Sequence, residues 1–233
     1  MRRGRSAAAN RTAVVAGASG LVGRDLLVRL LRRTDYGEVI ALTRRPLPPA
    51  ARMREVPAQF DRLESALDGV VGTTSTIHAY CCLGTTIRNA GSEAAFRRVD
   101  YDHVLSFARW AVDHAAARRV VITALGADAR SRVFYNRVKG EVESSLRSLA
   151  GDALVIVRPS LLDGRREETR FGEKLGLSIA RPFARWLPAA IRPVAAADVA
   201  QSMIDAALAI RPAAVIESAA MHGAARRADG RVR

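Results

Sequence analysis

The chain has 233 residues, of which 49% are hydrophobic, 26% charged and 5% aromatic, with 17 Gly and 9 Pro. This is ordinary globular usage; it excludes a disordered or collagen-like chain, and the length supports one large core without disulfide or metal staples. The formal net charge of +14 suggests a polyanion partner at first sight, yet 35 of the 37 basic residues are Arg and half of the excess lies in residues 1–12 and 211–233.

Such a lopsided Arg usage is a compositional bias, and with few aromatics and no nucleic-acid module no nucleic-acid partner is expected. No apolar run reaches the roughly 18 residues of a membrane span, so none is expected. Cys81 and Cys82 are adjacent, which gives neither a disulfide framework nor a zinc quartet and suits a reducing, cytoplasmic location. His78, His103, His114 and His222 are scattered without ligand spacing, so no metal is expected.

Residues 1–11 are polar and Arg-rich, and residues 219–233 are rich in Ala and Arg; both are expected to be flexible arms on a single domain. Short β-branched runs at 12–17, 38–43, 53–56, 75–82, 119–123 and 153–158 predict six strands. Between them, 21–33, 93–114 and 132–149 repeat apolar residues at the three-and-four spacing of amphipathic helices. This alternation predicts an α/β fold built on a doubly wound parallel sheet. After residue 158 the pattern turns helical and irregular, with helices expected at 172–186 and 197–210. Residues 159–218 are therefore expected to form a small C-terminal helical cap on the substrate side.

The first strand runs into Gly17-Ala18-Ser19-Gly20-Leu21-Val22-Gly23 and then a helix. In such a G-x-x-G-x-x-G turn, Gly17 makes the tight turn, Gly20 lets the backbone approach a pyrophosphate and Gly23 lets the helix pack close to the sheet. Backbone amides from Ser19 through Leu21 and Val22, at the positive end of the helix, would hold the phosphates. A purely structural turn is the alternative, but strand, turn, helix and second strand follow in the order that dinucleotide binding requires. The second strand ends at Thr43-Arg44-Arg45, with Arg44 21 residues beyond Gly23. An acidic residue near this offset would accept the ribose hydroxyls of NAD. Arg44 and Arg45 instead suit a 2′-phosphate, which favours NADP(H) over the alternative of two further arginines in an Arg-rich chain.

Tyr135 and Lys139 stand at i and i+4, on one face of the predicted helix. A nearby ammonium favours the phenolate and makes Tyr135 a usable acid/base, while Lys139 can also hydrogen-bond a nicotinamide ribose. A surface Tyr beside a solvated Lys is the plain alternative. Thr123 closes a strand at the carboxyl end of the sheet, where its hydroxyl could orient a substrate carbonyl or serve structure only. Asp100 and Asp102 on the long helix could reach the site, but solvated helix-face carboxylates are the default reading. Arg165, Arg166 and Arg170, near Glu167 and Glu168, form either a solvated loop or a clamp for an acidic substrate.

Several segments together resemble a known family. They are the turn from Gly17 to Gly23, Cys81-Cys82-Leu83-Gly84-Thr85-Thr86, the stretch from Phe96 to Asp102, Leu125-Gly126-Ala127-Asp128, Tyr135 to Glu143 as Y-x-x-x-K-G-E-x-E, Arg158-Pro159-Ser160-Leu161-Leu162, and Arg192-Pro193-Val194 with Asp198-Val199-Ala200. The chain from about Thr12 to His222 resembles atypical short-chain dehydrogenase/reductases, the Tat-interacting-protein oxidoreductase group and its bacterial relatives. The resemblance implies a Rossmann-like fold with NADP(H) in the crevice, lined by Leu83, Gly84 and Thr85, with the nicotinamide passing the loop of Pro159 and Ser160. It also implies Tyr135 and Lys139 as the catalytic pair. Where relatives tend to carry Ser-Ser, this chain has Thr123-Ala124, so the third hydroxyl is Thr123 or absent.

The leading expectation is an NADP(H)-dependent oxidoreductase moving hydride to or from a small carbonyl or alcohol substrate, with Tyr135 as acid/base. A cofactor-binding regulatory or assembly protein with a protein partner and little turnover is the alternative from another class. A sugar-nucleotide epimerase is the third, although the region after Arg158 leaves little room for a nucleotide-sugar domain.

Overall fold

The computed structural model describes residues 11–58, 60–67, 75–163 and 188–230. The first half alternates β1 (Arg11–Ala16), α1 (Leu21–Arg32), β2 (Glu38–Thr43), β3 (Met53–Pro57), α2 (Leu63–Leu67) and β4 (Thr76–Cys81). The second half begins with α3 (Ile87–Ala90) and α4 (Glu93–Arg97), which runs through a π turn (Arg98–Asp102) into α5 (His103–Asp113). There follow β5 (Arg118–Ile122), α6 (Phe134–Ala150), β6 (Leu154–Arg158), β7 (Leu162–Asp163), β8 (Val194–Ala195), α7 (Ala196–Leu208), β9 (Val215–Glu217), α8 (Ser218–Met221) and α9 (Ala224–Gly230).

Seven strands form one sheet in the order β3-β2-β1-β4-β5-β6-β9, and every pairing is parallel. Strands buried on both faces need no polar alternation, which is why β1, β2 and β4 read as nearly unbroken apolar runs. Alternate residues still divide two cores. Val14, Ile40, Cys81 and Val121 pack with Leu63, Phe107, Trp110 and Leu146 of α2, α5 and α6. Ala13, Val15, Tyr80 and Val120 pack on the other face with Leu26, Leu30, Val199 and Met203 of α1 and α7. Within that second layer the Tyr36 hydroxyl bridges His78 Nδ1 (2.8 Å) and the Tyr80 hydroxyl (2.6 Å), a buried polar link between the segment before β2 and β4.

All six expected strands are present, and the doubly wound parallel sheet stands. Three short strands were not foreseen: β9, which joins the sheet edge beside β6, and the β7–β8 ribbon. They are two or three residues long, too short to show a period. The helix expected at 197–210 is α7, which packs beside α1 on the sheet face. The helix expected at 172–186 and the charge run of Arg165, Arg166, Glu167, Glu168 and Arg170 lie outside the described residues, as does most of the N-terminal arm.

The tail expected to be flexible from residue 219 is instead folded as far as residue 230. Met221, Ala224 and Ala225 are buried, and Asp198 on α7 accepts hydrogen bonds from the Gly223 and Ala225 amides, both at 2.9 Å. A nonlocal carboxylate thus caps α9, and no local pattern in the tail announces it.

Among the described residues no helix is long and apolar enough to cross a membrane, and no cluster of His, Cys, Asp and Glu could hold a metal ion.

Candidate functional site

In a parallel sheet all carboxyl ends share one edge. The strand order reverses between β1 and β4, so the loops after those strands diverge and leave a crevice. The loop after β1 is the glycine turn. Gly17 has φ of +79°, and the turn closes with the Gly20 amide donating to the Gly17 carbonyl at 2.9 Å. A Cβ on Gly17 would come within 2.7 Å of the Cys82 carbonyl, so the turn lies directly against the loop after β4. Gly23 differs from expectation in its partner: a Cβ there would fall 2.2 Å from the Gly17 carbonyl oxygen, so the close approach is to the turn itself and not to the sheet.

The first bond within α1 is from the Arg24 amide to the Gly20 carbonyl, which leaves the amides of Leu21, Val22 and Gly23 ahead of it. No acidic residue stands in that first turn. This bare, electropositive helix end suits a phosphate group. Arg24, which the sequence pattern did not single out, is exposed there and donates to the Ser19 carbonyl at 3.0 Å.

Arg44 and Arg45 are exposed beyond the end of β2, the neighbour of β1. The Thr43 hydroxyl fixes the bend, donating to the Arg45 carbonyl (2.8 Å) and accepting from the Arg45 amide (3.2 Å). Two cations beside a bare helix end make this side of the crevice suited to a phosphorylated ribose.

The other side holds Lys139. Its side chain is 5% exposed, and its Nζ lies 2.7 Å from Oδ1 of Asp100, which is fully buried in the π turn. Asp100 Oδ2 accepts the Thr85 amide at 2.8 Å, and a Cβ on Gly84 would touch Asp100 Oδ1 at 3.4 Å and Lys139 Nζ at 3.8 Å. Burial works against the ammonium, but the Asp100 carboxylate, helped by Tyr135 and Cys81, outweighs it and raises the Lys139 pKa above the ordinary lysine value. Tyr135 is half-buried, its ring 5.5 Å from that of Phe96 and 5.9 Å from Lys139 Nζ. Among the described residues its hydroxyl has no hydrogen-bond partner. Leu83 and the thiol of Cys81 are buried. Burial pushes the Cys81 thiol up to about 12 and Cys82 well above its ordinary value, so both act as packing groups and not as nucleophiles.

Thr123 does not join this pair. It is buried, and its hydroxyl donates at 2.7 Å to Glu143 Oε1. Glu143 is also buried and receives two bonds from Arg158, one of them from Nε at 2.8 Å, and one from Arg147. With its proton committed to a carboxylate, Thr123 cannot also donate to a substrate carbonyl, and the neighbouring Ala124 has no hydroxyl to offer. The network ties α6, which carries Tyr135 and Lys139, to β5 and β6. Pro159 is buried after β6, and its carbonyl accepts the Leu125 amide at 2.9 Å. The Ser160 hydroxyl donates to the Arg192 carbonyl, and its amide donates to Ser218 Oγ. Both residues lie at the correct edge, but the polar groups of Ser160 are engaged in holding loops together.

A bare anion-binding helix end, exposed arginines and a buried ammonium are thus set along one edge, an arrangement that fits the phosphates and ribose of a dinucleotide. No protein-family model matches the chain. It is 34% identical over 183 residues to protein HTATIP2 of Rattus norvegicus, covering 77% of this chain and 72% of that one. It is 34% identical over 170 residues to the mitochondrial protein FMP52 of Eremothecium gossypii, covering 72% and 73%. Among solved structures, the aldohexose dehydrogenase of Thermoplasma acidophilum shares the fold with a TM-score of 0.67 at 17% identity, over 93% of this chain and 96% of that one.

The relatives correct one expectation. Fungal proteins named FMP52 are named as mitochondrial, against the cytoplasmic location inferred from two reduced cysteines; free thiols are compatible with any reducing compartment. With the Tyr135-to-Glu143 helix, the glycine turn and these relatives in view, the chain belongs to the atypical short-chain dehydrogenase/reductases, in the group that includes HTATIP2.

Proposed function

We propose that the protein is an NADP(H)-dependent oxidoreductase acting on a small carbonyl or alcohol. The observation that carries this reading is the buried Lys139 ammonium, one helical turn from Tyr135 and seated against the Gly84–Thr85 turn at the edge where the glycine turn ends β1. When bound, the dinucleotide supplies or accepts the hydride. The amides of Leu21, Val22 and Gly23 would hold its pyrophosphate, Arg44 and Arg45 its 2′-phosphate, and Lys139 its nicotinamide ribose. The Tyr135 hydroxyl donates a proton to the carbonyl oxygen in reduction and takes it back from the alcohol in oxidation.

The test is a panel of small aldehydes and ketones with NADPH. Tyr135→Phe keeps the ring but removes the proton, so turnover should fall by about 10² to 10⁴ while NADPH binding persists. Full activity of Tyr135→Phe on a confirmed substrate would refute the mechanism.

A second reading has its own support. The hydroxyl of Thr123 is committed to Glu143 and Ala124 has none, so neither residue at the end of β5 offers a hydroxyl proton to a substrate. A cofactor-binding regulatory protein with a protein partner and little turnover is consistent with that. NADPH binding without any substrate in the panel would favour it.

A further inference from the structure

We propose that the cavity at the amino ends of β1, β4 and β5 binds a small aliphatic carboxylate: Arg11, Arg118 and His78 hold the carboxylate group, and the end of α7 covers the apolar part. The site lies at the edge of the sheet opposite the glycine turn, and the inference does not rest on the NADP(H) reading.

The register of the strands assembles the site. Arg11 stands beside Thr76 across β1 and β4, and His78 stands beside Arg118 across β4 and β5. Alternate residues of a strand share a face, so Arg11 goes with Ala13 and Val15, His78 with Tyr80, and Arg118 with Val120. That face packs against α1 and α7. Toward the carboxyl ends it is an apolar core; at the amino ends the same rows turn polar. There the sheet and the end of α7 border a cavity of about 420 Å³, a volume usual for small-molecule sites, lined by Arg11, Thr76, His78, Arg118, Leu208 and Ile210 among others.

The charge of the cavity is uncompensated. Among the described residues neither Arg11 nor Arg118 has a carboxylate partner, and the Arg11 side chain has no hydrogen-bond partner. Arg118 gives Nη1 to the Ala117 carbonyl at 2.9 Å and Nη2 to the Ala209 carbonyl at 3.1 Å, both neutral acceptors, and its buried Nε has no partner among the described residues. Asp35, whose charge acts on His78, is already paired with Arg33, Oδ2 accepting from Nε at 2.7 Å. Two guanidinium groups on one cavity favour an anion between them.

His78 adds a neutral donor. The buried Tyr80 hydroxyl has only the Tyr36 hydroxyl as a partner among the described residues, so the arrangement that uses every proton runs from Tyr80 to Tyr36 and from Tyr36 to His78 Nδ1. The imidazole then carries its proton on Nε2. Burial, with Arg11 and Arg118, lowers the His78 pKa to about 4, so at neutral pH the ring offers an N–H and not a third cation. The apolar wall says what the anion carries: Leu208 lines the cavity, as does Ile210, which is 94% exposed. A free phosphate would leave that surface in water, whereas an aliphatic chain covers it.

The probe is hexanoate, titrated into the full chain at low ionic strength. The chain has four histidines, and with ¹⁵N-labelled histidine the His78 signals are assigned by their loss in His78→Gln. Hexanoate should shift the His78 Nε2 signal and leave those of His103, His114 and His222 in place. In calorimetry, hexanol, which lacks the charge, and inorganic phosphate, which lacks the chain, should each bind at least about tenfold more weakly. Arg11→Gln should weaken hexanoate about tenfold and move the melting temperature by no more than about 2 °C, since its side chain anchors nothing among the described residues. Arg118→Gln should weaken hexanoate as well, but also loosen the end of α7. An unmoved His78 signal at about 10 mM hexanoate, unchanged affinity in Arg11→Gln, or phosphate binding as tight as that of hexanoate overturns the proposal. So does displacement of hexanoate by NADPH, which would put the probe in the crevice at the other edge. Failure of the protein to bind NADPH defeats the NADP(H) reading alone, and the hexanoate titrations still decide this site.

Discussion

Replacing Thr123 by Val distinguishes a structural hydroxyl from a substrate-facing one. Valine has nearly the same shape, so the change removes one hydrogen bond, 2.7 Å long, to a carboxylate that keeps its two bonds from Arg158 and one from Arg147. A bond to a charged group is worth about 1.5–3 kcal/mol, and because Glu143 stays well solvated by guanidinium groups the lower half of that range applies, about 1.5–2 kcal/mol. For a chain of this length the melting temperature should drop by about 3–8 °C. Scanning calorimetry reads the stability, fluorescence titration with NADPH should show unchanged affinity, and turnover on a confirmed substrate should stay within a few-fold of the parent. Glu143→Gln should cost more, since it weakens the anchor of a partly buried guanidinium as well as the Thr123 bond. A Thr123→Val protein that melts at the parental temperature but loses a hundredfold or more in turnover would refute this placement and return Thr123 to the catalytic group.

Arg44→Ala should weaken NADPH binding about tenfold at low ionic strength, less at physiological salt because the side chain is exposed, and leave NADH unchanged; equal effects on both cofactors in titration calorimetry would remove the 2′-phosphate role. Burial first, then Arg11 and Arg118, lower the His78 pKa from 6.5 to about 4, so the unfolded chain takes up a proton that the folded chain refuses. Stability should therefore fall by about 3 kcal/mol as the pH drops from 6.5 to 4, and urea titrations in which a His78→Gln variant shows the parental pH slope would contradict it. Removing residues 219–233 strips Met221, Ala224 and Ala225 from the core and two amides from Asp198, which should cost at least about 3 kcal/mol in denaturant unfolding; an unchanged midpoint would show that the tail contributes nothing.

What could be read from the chain, and what could not, divides along local and nonlocal lines. The strands and the glycine turn are local statements: β-branched runs bounded by turn residues, and glycines spaced where a helix must begin against a strand end, and these appear in the structure nearly at the predicted bounds. The Tyr135 and Lys139 spacing is also local, because four residues on a helix place two side chains on one face. The partners of polar residues are not local. Nothing near Thr123 in sequence says that a carboxylate twenty residues on accepts its hydrogen bond, and nothing near Gly223 says that Asp198 caps the helix that follows.

Asp100 lies between these cases. Phe96, Asp100, Val104, Phe107 and Ala111 follow one another at three and four residues, and all five are buried, so the aspartate occupies the apolar stripe of its own helix and not the solvated face first assigned to it. A carboxylate on such a stripe requires a buried cation or a set of donors, and a chain with two lysines, one of them four residues after a tyrosine, has few to offer. The structure supplies the partners that the stripe requires: the Lys139 ammonium, 2.7 Å from Oδ1, and the Thr85 amide, which shows that the carboxylate holds the loop after β4 as well as the charge.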